Sequence, residues 1–184
     1  MEDQAIIDLY LDRAETAISE TAKKYGKYCF SIAYNILADK EDSEESVNDT
    51  YLAAWNNIPP QMPSVLATFL GRLTRNISLN RWKSLRAYKR GGGEVTLALE
   101  ELEGCVSGGE NPEAQLEQKE LLRAVNRFLA GLPEMERKVF VCRYWYLDSV
   151  PHIAQKLGWT PSRVTSMLHR TRGKLRRQLD KEGF

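Results

Sequence analysis

Apolar positions recur at the helical repeat along most of the chain. Ile18, Ala22, Tyr25, Cys29, Ile32 and Ile36 follow one another at steps of four and three, which places them on one stripe of one helix. Cys29 therefore reads as a core residue rather than a reactive thiol. Val47, Tyr51, Ala54, Trp55 and Ile58 predict a second helix from about Asp42 to Asn57, with Asp42, Glu45 and Asp49 on its outer face. Ile58-Pro59-Pro60-Gln61-Met62-Pro63 stops that helix, because proline lacks the amide donor and restricts the residue before it. Ser64 is a suitable N-cap for a third helix that runs to about Arg90. Leu66, Phe69, Leu70, Leu73 and Ile77 point inward there, and Arg72, Asn76, Asn80 and Lys83 share another face.

Gly91-Gly92-Gly93 ends the periodic pattern, and six of the twelve glycines fall between 91 and 109. With its many glutamates this stretch has linker composition as far as Pro112. Leu116 to Leu132 and Pro133 to about Tyr146 predict two further helices. No internal repeat and no long alternating segment interrupts them. The expected fold is all-α: two small helical domains, 1–90 and 113–184, joined by a flexible acidic linker over 91–112.

The most informative stretch is C-terminal. Ser149 can cap a short helix with Pro151 in its first turn, and Val150, Ile153, Ala154 and Leu157 give its apolar face. Gly158 stands where a left-handed residue ends a helix, and Thr160 with Pro161 starts another at once. The inward stripe of this last helix is Val164, Leu168, Thr171 and Leu175. Ala154 permits a close crossing and Gly158 a tight turn, the pattern of a helix-turn-helix whose second helix enters the major groove. Ser162, Arg163, Ser166, His169 and Arg170 share the outer face, and Arg172, Lys174, Arg176 and Arg177 extend the positive charge. A helical hairpin with a basic solvent face satisfies the same pattern.

Composition narrows the class. The chain has 184 residues, 42% hydrophobic and 28% charged, the balance of a soluble globular protein. No apolar run approaches the ~18–20 residues that span a bilayer. The start, Met1-Glu2-Asp3-Gln4, lacks the basic and apolar parts of a signal peptide. Cys29, Cys105 and Cys142 are an odd number, and His152 and His169 add no metal-ligand spacing. The expectation is a cytoplasmic protein with neither metal nor cofactor. Cys105 lies in the linker, where a redox role and a bystander thiol are both open.

The net charge of +1 conceals a segregation. Residues 1–57 hold 5 Lys/Arg against 12 Asp/Glu, and residues 58–93 hold 7 Lys/Arg and no acid. Residues 94–120 hold 1 base and 8 acids, and residues 121–184 hold 13 bases and 5 acids. Two basic blocks separated by an acidic one suit two contacts with a polyanion. On charge alone, solvated helix faces account for the same blocks.

In order and spacing these segments resemble the sigma-70 family of bacterial RNA polymerase initiation factors, most of all its short extracytoplasmic-function (ECF) group. The stretch Asp42-Ser43-Glu44-Glu45-Ser46-Val47-Asn48-Asp49-Thr50-Tyr51-Leu52-Ala53-Ala54-Trp55 is similar to region 2.2, the docking helix for the polymerase clamp. Thr68-Phe69-Leu70 through Arg75-Asn76-Ile77-Ser78-Leu79-Asn80-Arg81 is similar to regions 2.3 and 2.4, which hold the −10 element. Leu132-Pro133, Arg137, Phe140 and Arg143-Tyr144 with the helix-turn-helix are similar to region 4. There are departures. Asn48 replaces a usual Gln, Asn80 a common Asp, and Leu147-Asp148 a common Gly-Leu ahead of the helix-turn-helix, while Thr165 and Met167 hold positions that are often basic.

The resemblance implies a sigma factor that binds core RNA polymerase and directs initiation by recognising −10 and −35 elements and assisting strand opening. It places Asp42, Glu45 and Asp49 against the clamp. Arg72, Arg75, Arg81 and Lys83 would follow phosphates of the opened −10 strand while Asn76 and Asn80 meet base edges, with the pocket for an extruded base in the loop Ile58 to Ser64. Trp82 either stacks on bases or packs inward. Arg163, Thr165, Ser166, His169 and Arg170 would contact the −35 duplex. The implied partners are core polymerase (clamp and flap), promoter DNA and an anti-sigma factor, with no membrane insertion.

A helix-turn-helix regulator acting outside the polymerase is the alternative; it leaves the acid-faced helix and the acid-free block without a task. A sigma-like adaptor without DNA binding is another. Catalysis has no support: the carboxylates have no histidine near them in sequence, and there is neither a Gly-rich phosphate loop nor a nucleophile motif.

Overall fold

The computed structural model describes residues 1–86, 98, 101–102 and 114–184, and these contain eight helices and no strand. The chain divides into two compact units, Met1–Gly93 and Glu94–Phe184.

The first unit holds α1 (Asp3–Leu11), α2 (Thr16–Leu37), α3 (Lys40–Asn57) and α4 (Leu66–Arg86). Helix α1 was outside the sequence expectation, which began at Ile18. It buries Ile6, Ile7 and Tyr10 against α2, and the Tyr10 hydroxyl lies 2.9 Å from that of Thr21. Its Asp3 carboxylate accepts from Lys24 Nζ at 2.6 Å and from the Tyr25 hydroxyl at 2.5 Å. Those hydrogen bonds hold the Asp3 carboxyl below its ordinary value. Helix α3 starts earlier than Asp42, because the Asp39 side chain caps it by accepting from the Asp42 amide at 2.9 Å. Helix α4 starts at Leu66 and its Phe69 amide donates to the Val65 carbonyl at 3.2 Å, so Ser64 stands outside the cap position expected of it. The expected end near Arg90 lies outside the described residues.

Helices α2, α3 and α4 pack against one another around a core that includes Cys29, Ala33, Val47, Tyr51, Leu66 and Leu70. Burial pushes the Cys29 thiol up, as a core cysteine requires. The inward face of α4 differs from expectation beyond Leu70. Gly71, Thr74 and Ser78 are buried there, and Leu73 and Ile77 are half-buried. Opposite them α3 buries Ser43, Ser46 and Thr50, so the α3–α4 contact is a seam of small polar residues. Thr74 donates to the Leu70 carbonyl at 2.9 Å, and the Thr50 and Thr74 hydroxyls lie 3.2 Å apart. Among the described residues Ser46 Oγ and Ser78 Oγ have no partner. A buried hydroxyl without a partner destabilises by about 1–3 kcal/mol, and alanine is also the better helix former. Ser78→Ala is therefore expected to stabilise the first unit by about 1 kcal/mol, read as slower amide hydrogen exchange in α3 and α4.

The second unit holds α5 (Ala114–Gly131), α6 (Glu134–Tyr144), α7 (Val150–Leu157) and α8 (Pro161–Glu182). Helix α8 is its spine, packed by α5, α6 and α7. The caps fall where the residue types predict. Ser149 accepts from the His152 amide and Thr160 from the Arg163 amide, each at 3.3 Å, while Gly158 takes φ 64°. Ile153, Ala154, Val164, Leu168, Thr171 and Leu175 are buried.

Of the segment read as linker, residues 98, 101 and 102 are described and belong to the second unit; Cys105 lies outside the described residues. Ala98 is buried, and Glu101 joins an ionic cluster. Glu101 accepts from Arg143 at 3.1 and 3.4 Å, from the Tyr144 hydroxyl at 2.7 Å and from Arg172 at 3.3 Å. Arg143, only 2% exposed, also donates to the Asp148 carbonyl at 3.2 Å. The buried Asp148 carboxylate in turn binds Lys156 at 3.0 Å and lies 3.2 Å from His152 Nδ1. These bonds tie the lead-in of the helix-turn-helix to α6, α7 and α8.

Candidate nucleic-acid interface

Helix α8 presents its N-terminal half to solvent. Ser162, Arg163, Thr165, Ser166, His169 and Arg170 are all exposed, and Val164 and Leu168 hold the opposite side in the core. The Thr165 hydroxyl donates to the Pro161 carbonyl at 3.0 Å, so it turns toward its own helix. The Arg163 guanidinium stacks on the Trp159 ring, 3.8 Å from its centroid. Farther along, the positive face is narrower than expected. Arg172 donates to Tyr144 Oη at 2.8 Å as well as to Glu101, and Lys174 pairs with Glu136 at 2.7 Å. Arg176 and Arg177 stay exposed.

Helix α4 offers a second polar face. Arg72, Asn76, Asn80 and Lys83 are exposed. Arg72 lies over the Phe69 ring at 5.7 Å and donates to Gln61 Oε1 at 3.4 Å. Arg75 is half-buried, and burial pulls its guanidinium below the ordinary arginine value. Trp82 is half-buried too. In the loop ahead of α4, Ile58 is a fully buried core residue, and Pro59, Pro60, Gln61, Met62 and Ser64 are exposed.

The charges of α3 and α4 meet at Arg81. Its guanidinium pairs with Glu45, with Asp49 at 2.9 Å and with Asp42 at 3.7 Å. The hydrogen bond from Arg81 holds the Glu45 carboxyl below its ordinary value and raises Arg81 in return. The structure thus brings together four residues that the sequence reading divided between two partners. Lone charges in a one-dimensional reading carry no sign of this, although Asp42, Glu45 and Asp49 at helical spacing are positioned for a single shared cation. Among the described residues no cluster of His, Cys, Asp or Glu is placed to hold a metal ion.

The second unit also carries an open groove of almost wholly apolar lining, formed by residues such as Leu121, Val125, Leu129, Phe140 and Leu179, with the half-exposed Trp145 at its wall. Among the described residues no helix is long and apolar enough to cross a membrane.

Most of these residues fall inside two family matches: the Sigma-70 region 2 model covers residues 21–88, and the Sigma-70 region 4 model covers residues 122–175. The chain belongs to the sigma-70 family, in its ECF group. This sigma factor is 24% identical over 168 residues to the ECF RNA polymerase sigma factor SigW of Bacillus subtilis, covering 90% of each chain. It is 24% identical over 179 residues to the ECF RNA polymerase sigma factor SigE of Mycolicibacterium smegmatis, covering 96% of this chain and 67% of that one. The RNA polymerase sigma factor NccH of Alcaligenes xylosoxydans xylosoxydans matches at 24% over 177 residues, with 94% and 92% covered. A solved structure of CnrH in complex with the cytosolic domain of CnrY is similar at 23% identity and a TM-score of 0.41, covering 98% of this chain and 99% of that one. The factor is a promoter-recognising protein of transcription initiation, not an enzyme, and membership implies binding to core RNA polymerase and promoter DNA.

Proposed function

We propose that the two units divide promoter recognition between them. The second unit, with 113–184 as its region 4 part, binds the −35 duplex. Arg163, Thr165, Ser166, His169 and Arg170 face the major groove, and the fully exposed outer face of α8 behind two satisfied caps is the observation that carries this reading. The first unit, with 1–90 as its region 2 part, holds the opened −10 strand. Arg72, Arg75 and Lys83 supply charge, and the exposed amides of Asn76 and Asn80 supply donors and acceptors for base edges. The exposed loop after Ile58 lies ahead of this face and is the place for an extruded base.

Asp42, Glu45 and Asp49 face a basic surface of the polymerase clamp. Rim charges of this kind steer and orient a complex more than they hold it. Arg81 sits among these acids and reaches a phosphate only by exchanging carboxylate partners. The apolar groove of the second unit suits the polymerase flap, since an exposed apolar groove with aromatic walls is the usual seat of a partner helix. The linker 91–112 spans the two contacts, and an anti-sigma protein restrains the factor in the cytoplasm by covering the same surfaces.

Transcription start-site mapping with this protein and core polymerase tests the whole reading. It should give initiation at discrete sites that share two upstream elements; the absence of initiation over core enzyme alone overturns it. Arg170→Ala is expected to weaken promoter binding while leaving assembly with core polymerase intact, measured by filter retention against pull-down.

A further inference from the structure

We infer that Trp159 is a positioning residue for sequence readout: its indole is a platform that fixes Arg163 as a reader of guanine. The inference rests on the placement of α8 in the major groove, and adds a residue outside that helix to it. Trp159 sits between two fixed points. Gly158, at φ 64°, ends α7, and the Trp159 amide donates to the Ala154 carbonyl at 2.9 Å. Thr160 caps α8 directly afterwards. The backbone on both sides of the ring is therefore set by helix caps, and the ring itself is half-buried.

Arg163 stands one helical turn beyond, in the first turn of α8, where a recognition helix brings side chains to base edges. An exposed arginine ordinarily samples many rotamers, and ordering it opposes binding. Here the guanidinium carbon lies 3.8 Å from the indole centroid, well inside the range of a cation–π contact. Stacking occupies the face of the guanidinium and leaves its in-plane N–H donors at the edge. Those are the donors that a bidentate pair with guanine O6 and N7 requires. Among the described residues His169 and Arg170, also exposed on α8, have no ring contact of this kind. The geometry singles out Arg163 as the preorganised reader and leaves the others to adapt.

The test uses the full chain assembled with core RNA polymerase and a pool of duplex DNA with randomised bases. Arg163→Ala should erase a guanine preference at one position of the selected sequence, a preference of about 5- to 150-fold. Trp159→Leu, which keeps apolar bulk but removes the π face, should lower the preference at that same position about two- to five-fold. Trp159→Phe should retain most of it. The dependence of affinity on salt should be the same in all three Trp159 forms, because no phosphate contact is lost. A preference left whole in Trp159→Leu overturns the platform while leaving the placement of α8 intact. An equal loss in Trp159→Leu and Trp159→Phe also overturns it, since packing rather than stacking then governs. If neither Arg163→Ala nor Arg170→Ala alters the selected sequence, the placement of α8 on DNA fails and the platform with it.

Discussion

Replacing Arg143 by alanine is expected to destabilise the second unit by about 3–5 kcal/mol, the effect of removing one partner from a buried charge cluster. The guanidinium is almost wholly buried and bridges the Glu101 carboxylate and the Asp148 carbonyl. Its loss takes that donor from the Asp148 carbonyl and leaves Glu101 with Tyr144 and Arg172, beside a space that the side chain had filled. Amide hydrogen exchange in α6, α7 and α8 resolves the effect within this unit, where a single unfolding midpoint for a two-unit chain does not. Protection in those helices that matches the unsubstituted protein would show the cluster to be dispensable.

The same cluster sets a pH dependence. Burial pushes the Glu101 carboxyl up, but the hydrogen bonds from Arg143 and Tyr144, with the charges of Arg143 and Arg172, outweigh it and leave it below its ordinary value of 4.5. A carboxyl lowered on folding contributes stability in full above its unfolded value. That contribution falls as the pH drops below about 4.5 through the folded value. Glu101→Gln should therefore remove part of the acid sensitivity of the second unit.

Leu70→Ala is expected to destabilise the first unit by about 2–5 kcal/mol, in the upper half of that range. Along α4 the buried apolar side chains are Leu66, Phe69 and Leu70; beyond them the buried face is Gly71, Thr74 and Ser78. The cohesion of this helix is thus concentrated at its N-terminal end, and Leu70 is fully buried there. Collapse around the vacated space is opposed at Gly71, because a Cβ at that position would already overlap the Tyr28 hydroxyl of α2. A loss below 1 kcal/mol, read by hydrogen exchange in α2 and α4, would mean that the seam carries more of the contact than its chemistry suggests.

The C-terminal helix-turn-helix was legible residue by residue, since its caps and its turn are local chemistry: Ser149, Pro151, Gly158, Thr160 and Pro161 each act within a turn of their own position. The α2 stripe was legible for a similar reason, because large apolar side chains at helical spacing have one place to go. The inner face of α4 was not. Thr74 and Ser78 are buried through close helix approach, and their residue types favour solvent until the facing serines of α3 are known. Helix α1 was not legible in this way, because Ile6, Ile7, Leu9, Tyr10 and Leu11 put apolar side chains around most of a short helix and no single stripe stands out against a polar face. At the candidate sites, exposure on α8 followed from periodicity. The union of Arg81 with Asp42, Glu45 and Asp49 did not, because it joins residues 32 to 39 positions apart on two helices.

Leu147 is a non-glycine residue at a left-handed corner ahead of α7. It holds φ 56°, a left-handed conformation that suits glycine, and its side chain is buried. The backbone conformation costs leucine about 1–2 kcal/mol, whereas burying its side chain contributes about 1.5–3 kcal/mol and spares the chain the larger conformational entropy of glycine. Leucine is therefore the more stable choice at this corner. Where a glycine would leave an empty, freer corner, this chain has a buried side chain that wedges the turn between α6 and α7.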